Sequence, residues 1–253
     1  MTTGLLPARW TDLRRFTPAR VGLGRAGNGL PSAAHLAFQA DHAAARDAVH
    51  ATLDVAALQA NLTDTGIDSL AVRSAAPDRQ TYLRRPDLGR RLLDADRSRL
   101  PAAPGAMLFV VCDGLSAVAV QRHAVALLDC VIPALRAAHP IAPVVIATQG
   151  RVALGDDIGG TMGAEAVAVL IGERPGLSAA DSLGIYLTWQ PRPGRTDAER
   201  NCISNIRPDG LPIAQSAAKL LWLIEAMRRL RMTGVALKDD QPASLPAPGS
   251  ATN

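Results

Sequence analysis

Met107-Leu108-Phe109-Val110-Val111-Cys112-Asp113-Gly114-Leu115-Ser116 decides the fold. Its first six residues form an unbroken apolar run, too short for a helix and rich in β-formers. Such a run reads as a strand buried on both faces. Asp113-Gly114 turns the chain, and an alanine- and leucine-rich helix follows from Ala117 to Ala138. This is one strand–turn–helix unit, and the residues after it repeat the grammar.

Val144–Ala147 is a second buried strand, followed by Gln149-Gly150-Arg151 and a short helix over Asp156–Met162 that ends at Gly163. Ala166–Ile171 is a third strand and runs straight into Gly172-Glu173-Arg174-Pro175-Gly176. Ile185–Trp189 is a fourth, and Ile213–Met232 is a long amphipathic helix with Leu220, Leu223 and Met227 at helical spacing. Alternation of this kind predicts an α/β fold with a doubly wound, mostly parallel sheet, in which ligands gather beyond the carboxyl ends of the strands.

Working back from Met107, Pro101–Gly105 reads as a linker and Pro86 as the opening of a helix carrying Arg90 and Arg91. Pro31–His50 reads as a helix, and residues 1–30, with Trp10 and a glycine-rich piece from Gly22 to Gly29, as an arm. The chain thus divides into an N-terminal arm with helices over residues 1–100, a ligand-binding α/β domain over 101–237, and a disordered tail over 238–253.

The totals limit the function. A chain of 253 residues buries enough core to fold without staples. Three cysteines, Cys112, Cys130 and Cys202, share no metal-ligand spacing and follow no secretory leader, which predicts a reducing, cytoplasmic setting. No apolar stretch approaches the roughly 20 residues of a membrane-spanning helix, because charges or prolines interrupt every run. A net charge of +4 raises nucleic acid as a partner, but 3 Phe, 3 Trp and 2 Tyr make no platform for stacking bases.

Several local motifs have competing readings. Gly22-Leu23-Gly24-Arg25-Ala26-Gly27 spells a dinucleotide fingerprint, yet it lacks the buried strand before it and the helix directly after it. A flexible hook is the simpler reading. Asp113 and Ser116 follow a strand, where catalytic groups often sit, but Ser116 also suits a helix cap and Asp113 an ordered turn. No Gly-x-Ser-x-Gly elbow is present. The five histidines have no carboxylate or cysteine at ligand spacing, so no metal held by side chains is expected. Gly172–Gly176 places Glu173 at the mouth of a strand between glycines that admit a large ligand, or else forms an ion-paired turn. Cys202 lies in a polar segment between a proline-rich loop and the last helix.

Read in order, Gly24-Arg25-Ala26-Gly27, Tyr82-Leu83 with Arg85-Pro86-Asp87, Gly89-Arg90-Arg91, Asp113-Gly114-Leu115-Ser116, Gly150-Arg151-Val152, Gly172–Leu177 and Cys202-Ile203-Ser204-Asn205-Ile206 resemble the small-subunit family of ethanolamine ammonia-lyase. The resemblance runs from about Thr17 to about Met232. It implies a Rossmann-like fold and a lyase that converts ethanolamine to acetaldehyde and ammonia by a radical 1,2-amine migration. The cofactor implied is adenosylcobalamin, cradled against a TIM-barrel large subunit that carries the substrate site, in a large hetero-oligomer. The family's cobalamin contacts fall on Val152, Glu173 and Cys202, all expected beyond strands or in loops.

Two departures qualify the resemblance. Asp-x-His-x-x-Gly, the motif that replaces the cofactor's own base on cobalt, is absent, so the base is expected to stay bound. The shared region is also reached after only about ten residues, which argues against self-targeting to a bacterial microcompartment. The alternatives to this reading are an autonomous nucleotide-binding enzyme of Rossmann type and a corrinoid carrier.

Overall fold

A computed structural model describes residues 12–17 and 19–240. Trp10 and the tail residues 241–253 lie outside the described residues. The apolar runs become strands: β1 (Ser69–Arg73), β2 (Met107–Cys112), β3 (Val144–Thr148), β4 (Ala166–Gly172), β5 (Leu183–Trp189) and β6 (Arg200–Ile206). They form one sheet in the order β1-β3-β2-β4-β5-β6. The pairs from β1 to β4 are parallel, while β5 is antiparallel to both β4 and β6. Only β5 therefore runs against the others, and the sheet is mostly parallel.

Period-two alternation divides each central strand between two cores. Met107, Phe109 and Val111 face one cluster, together with Val144, Ile146, Ala168 and Leu170. Leu108, Val110 and Cys112 face the other, with Val145, Ala147, Val167 and Val169. The first cluster is covered by helices α2 (Val55–Asp64), α5 (Ala117–Arg136) and α7 (Ile213–Leu230), numbered after α1 (Ser32–His50) and with two short helices, α3 (Arg79–Arg84) and α4 (Asp94–Arg97), between α2 and α5. The second is covered by α6 (Leu154–Met162). Gly155 and Gly159, one turn apart on α6, let its backbone approach closely. A Cβ on Gly155 would stand 2.2 Å from a Val169 methyl, and one on Gly159 would stand 2.5 Å from Pro191.

Several sequence expectations change here. The boundary at residue 100 does not divide the fold, because β1 pairs with β3 and Leu58, Leu62 and Val72 lie in the two cores. Pro86 opens no helix: the residue before a proline resists the α conformation, so α3 ends at Arg84 and only a single 3₁₀ turn, Leu88–Arg90, follows. Cys202 lies inside β6 rather than in a loop. Arg122, Asp129 and Pro133 do not interrupt α5, whose 20 residues are long and apolar enough by length and composition to cross a membrane. In this fold α5 packs its apolar face on the sheet and α7.

The winding reverses at β2. The chain leaves β2 through α5 on one face to reach β3, then returns through α6 on the other face to reach β4 beside β2. The crevice between the carboxyl ends of β2 and β4 is therefore the topological switch point. Two glycines shape it. Gly114, at φ +56°, packs so tightly that a Cβ would stand 2.3 Å from the Gly172 carbonyl oxygen, and a Cβ on Gly172 would stand 2.0 Å from that of Ser116. Gly172→Ala must push these strand ends apart. We expect it to lower the free energy of unfolding by about 1–3 kcal/mol, measured by urea denaturation.

Candidate cofactor groove at the strand carboxyl ends

The site grows out of the buried Asp113, the first residue after β2, which is 3 % exposed. Its carboxylate accepts from the backbone N–H of Gln149 at 2.9 Å and of Gly150 at 3.0 Å. It thereby ties the end of β2 to the loop after β3. Burial pushes this carboxyl upward in pKa, and the two amides and Arg79, 3.7 Å away, pull it back. Arg79 also donates to the carbonyls of Gly114 at 2.7 Å and Val49 at 2.6 Å, so one guanidinium joins α1, α3 and the β2 turn. Ser116 caps α5 by accepting from the Ala119 N–H and donates to the Ala180 carbonyl at 2.8 Å. Asp113 and Ser116 are thus turn and cap residues.

Tyr82 extends this frame. It is fully buried, donates its hydroxyl to the Gly150 carbonyl at 3.1 Å, and carries the guanidiniums of both Arg79 and Arg151 on its ring, at 4.8 and 4.3 Å from the centroid. Tyr82, Leu115, Arg151, Val152, Glu173 and Tyr186 line a cleft of about 410 Å³ over the switch point. A second lobe of about 440 Å³, lined by Arg90, Arg195, Thr196 and Arg200, shares Arg151 and Val152 with the first. The two lobes adjoin at Arg151 and Val152.

Glu173 stands at the end of β4 and makes no ion pair with its neighbour Arg174. Its Oε2 accepts from the Ser182 hydroxyl and from the Asn205 N–H at 3.2 Å, linking the ends of β4 and β6. Oε1 has no hydrogen-bond donor among the described residues. Cys202 lies opposite Tyr186 in the β5–β6 register, so both side chains leave the same face of the sheet. Burial, and then Cys202 beside it, push the Tyr186 hydroxyl well above its ordinary pKa, so it stays protonated and can donate. At the far end of the groove, Arg200 forms a forked ion pair with Asp156 at 2.6 and 2.7 Å, with both side chains almost wholly buried. That pair locks α6 to β6.

The cleft has the size of a small-molecule site, and the apolar Leu115, Val152 and Ile171 line it beside Tyr82, Arg151, Glu173, Arg174 and Tyr186. With that geometry in place, comparisons with known proteins identify its setting. The chain matches the family described as ethanolamine ammonia-lyase light chain (EutC) over residues 7–238. The chain belongs to that family. It is 55% identical over 249 residues to an ethanolamine ammonia-lyase small subunit of Azotobacter vinelandii, covering 95% of this chain and 92% of the relative. It is 53% identical over 251 residues to one of Xanthomonas campestris (95% and 92%), and 52% identical over 253 residues to one of Bradyrhizobium diazoefficiens (97% of both). As a light chain of this family, the protein is a subunit of a lyase.

Of the three residues that the resemblance marks, the fold places Val152 and Glu173 in the cleft lining, with Cys202 beside Tyr186 on the adjoining strand. Sequence reasoning did not single out Tyr82, Tyr186 or Arg79 as part of the site. One signal was available: the chain has only 2 tyrosines, and both line the cleft. The Asp113 clamp is testable. Asn at this position has one acceptor oxygen and turns a donor toward the other backbone N–H. Asp113→Asn is expected to cost about 1–3 kcal/mol and to speed hydrogen exchange at Gln149 and Gly150, read by mass spectrometry.

Proposed function

We propose that this chain is the small subunit of an adenosylcobalamin-dependent ethanolamine ammonia-lyase and cradles the cofactor against a TIM-barrel large subunit that carries the substrate site. Family membership supports the activity, and the cleft at the switch point with its adjoining lobe supports the cradle. The groove's chemistry fits a corrinoid. Such a ligand is broad, apolar on its faces and fringed with neutral amides that both donate and accept. Leu115, Val152 and Ile171 offer apolar contact, Glu173 Oε1 accepts, and the protonated Tyr186 hydroxyl can donate.

Bound adenosylcobalamin supplies homolysis of its cobalt–carbon bond, the source of the radical for the 1,2-amine migration. The part played by this chain is positioning. Ser182 and Asn205 fix the Glu173 carboxylate through Oε2, so Oε1 meets the ligand without first having to be ordered. Asp113 and Tyr82 hold the loop that carries Arg151 and Val152. No residue here is assigned a proton or an electron to move. The exposed apolar residues of the arm, Phe16, Leu30 and Leu36, suit burial against the large subunit in a hetero-oligomer. A cytoplasmic enzyme, free or recruited by a partner into a microcompartment, accords with this assignment.

Two measurements test the reading. Ethanolamine turnover with adenosylcobalamin is expected only when this chain is mixed with its large subunit; turnover by either chain alone, or none by an assembled mixture, refutes it. In that complex, Glu173→Gln is expected to weaken cobalamin binding about tenfold or more, with the ethanolamine KM nearly unchanged. Unaltered cobalamin affinity removes Glu173 from the site.

A further inference from the structure

We infer that the arginine-lined lobe beside the cleft binds an anionic phosphodiester, and that it thereby fixes which way round the cofactor lies. The inference rests on the cobalamin reading above, because adenosylcobalamin carries a single phosphodiester, in its nucleotide loop, amid neutral amides. Arg90, Arg151, Arg195 and Arg200 converge on the lobe. Two of them are already neutralised: Arg195 pairs with Glu199, and Arg200 pairs with Asp156, with Asp197 3.5 Å from its Nε. Arg90 and Arg151 have no carboxylate partner among the described residues.

The setting of Arg151 is that of a cation held ready. Its guanidinium rests on the buried Tyr82 ring, a contact that orients the plane through cation–π attraction without using N–H donors. Among the described residues its Nε is buried and without a hydrogen-bond partner, and its only side-chain hydrogen bond is a long one of 3.4 Å to the Tyr82 carbonyl. An unpaired buried donor is costly, and a forked guanidinium matches phosphate oxygens two at a time. Arg90 is exposed at the end of the Leu88–Arg90 turn, and the Gly89 carbonyl accepts from the Arg151 N–H at 2.8 Å, which sets that turn beside the Arg151 loop. The apolar lobe with Glu173 then takes the corrin edge, and the arginine lobe takes the phosphodiester.

The test uses the complex with the large subunit and two probes, cobalamin and cobinamide, the latter having the same corrin without the nucleotide loop. Arg90→Gln and Arg151→Gln are expected to weaken cobalamin binding about tenfold or more and cobinamide binding less than about twofold, read by equilibrium dialysis and the corrin absorption spectrum. Arg90→Gln lies on the surface and keeps the fold intact. Inorganic phosphate is expected to compete with cobalamin in the unaltered complex and much less in the variants. Equal loss for both probes, or no loss for either, overturns the inference while leaving cobalamin binding standing. Variants that no longer assemble with the large subunit also overturn it, because the arginines then face acidic groups of the partner. An unaltered complex that binds neither probe refutes the cobalamin reading and the inference together.

Discussion

The Asp113 carboxylate is the constraint on which the groove depends. It is taken out of water at the end of a strand buried on both faces, and burying a carboxylate is costly unless its oxygens are hydrogen-bonded. Two backbone amides from the loop after β3 and the nearby Arg79 meet that need. The same contacts hold Gln149 in its left-handed conformation, at φ +56°, and aim Arg151 and Val152 across the switch point. The ordering of this loop comes from satisfying a buried charge rather than from anything the loop residues do alone.

Around that clamp the protein uses close backbone approach where an ordinary enzyme site would use side chains. Gly114 and Gly172 bring the ends of β2 and β4 together, and Gly155 and Gly159 bring α6 down onto the sheet. Two ion-pair systems then fix the walls: Arg200 with Asp156 between β6 and α6, and Arg97 with Asp157 between α4 and α6. Both are interior or half-interior pairs, which position elements more than they add net stability.

The composition of the groove accords with the proposed division of labour between this subunit and a partner. It offers a fixed carboxylate, unpaired guanidiniums and an apolar floor, but no nucleophile next to a base and, among the described residues, no cluster of metal-ligating side chains. On the proposed reading such a set orients the cofactor, and bond-making falls to the cofactor and the large subunit.

The sequence by itself determined the strands that are buried on both faces. Their apolar runs, at residues 107–112, 144–148 and 166–172, need no knowledge of neighbours to be read, since water must be excluded from every side chain. The same holds for α6, whose stop is written in Gly163 at φ +68°. The ordered motifs also marked Val152, Glu173 and Cys202. Only the tertiary structure decided that Ser69–Arg73 and Arg200–Ile206 are strands. These are the sheet's edges, mixed in polarity because one side meets solvent or an ion pair, and pairing with β3 and β5 rather than local pattern makes them extended. It also decided the membership of the site. Arg79 and Tyr82 on α3, Arg90 in the turn Leu88–Arg90 and Tyr186 on β5 come from three separate stretches and meet only because the winding reverses at β2, a property of strand order that no local stretch of residues encodes.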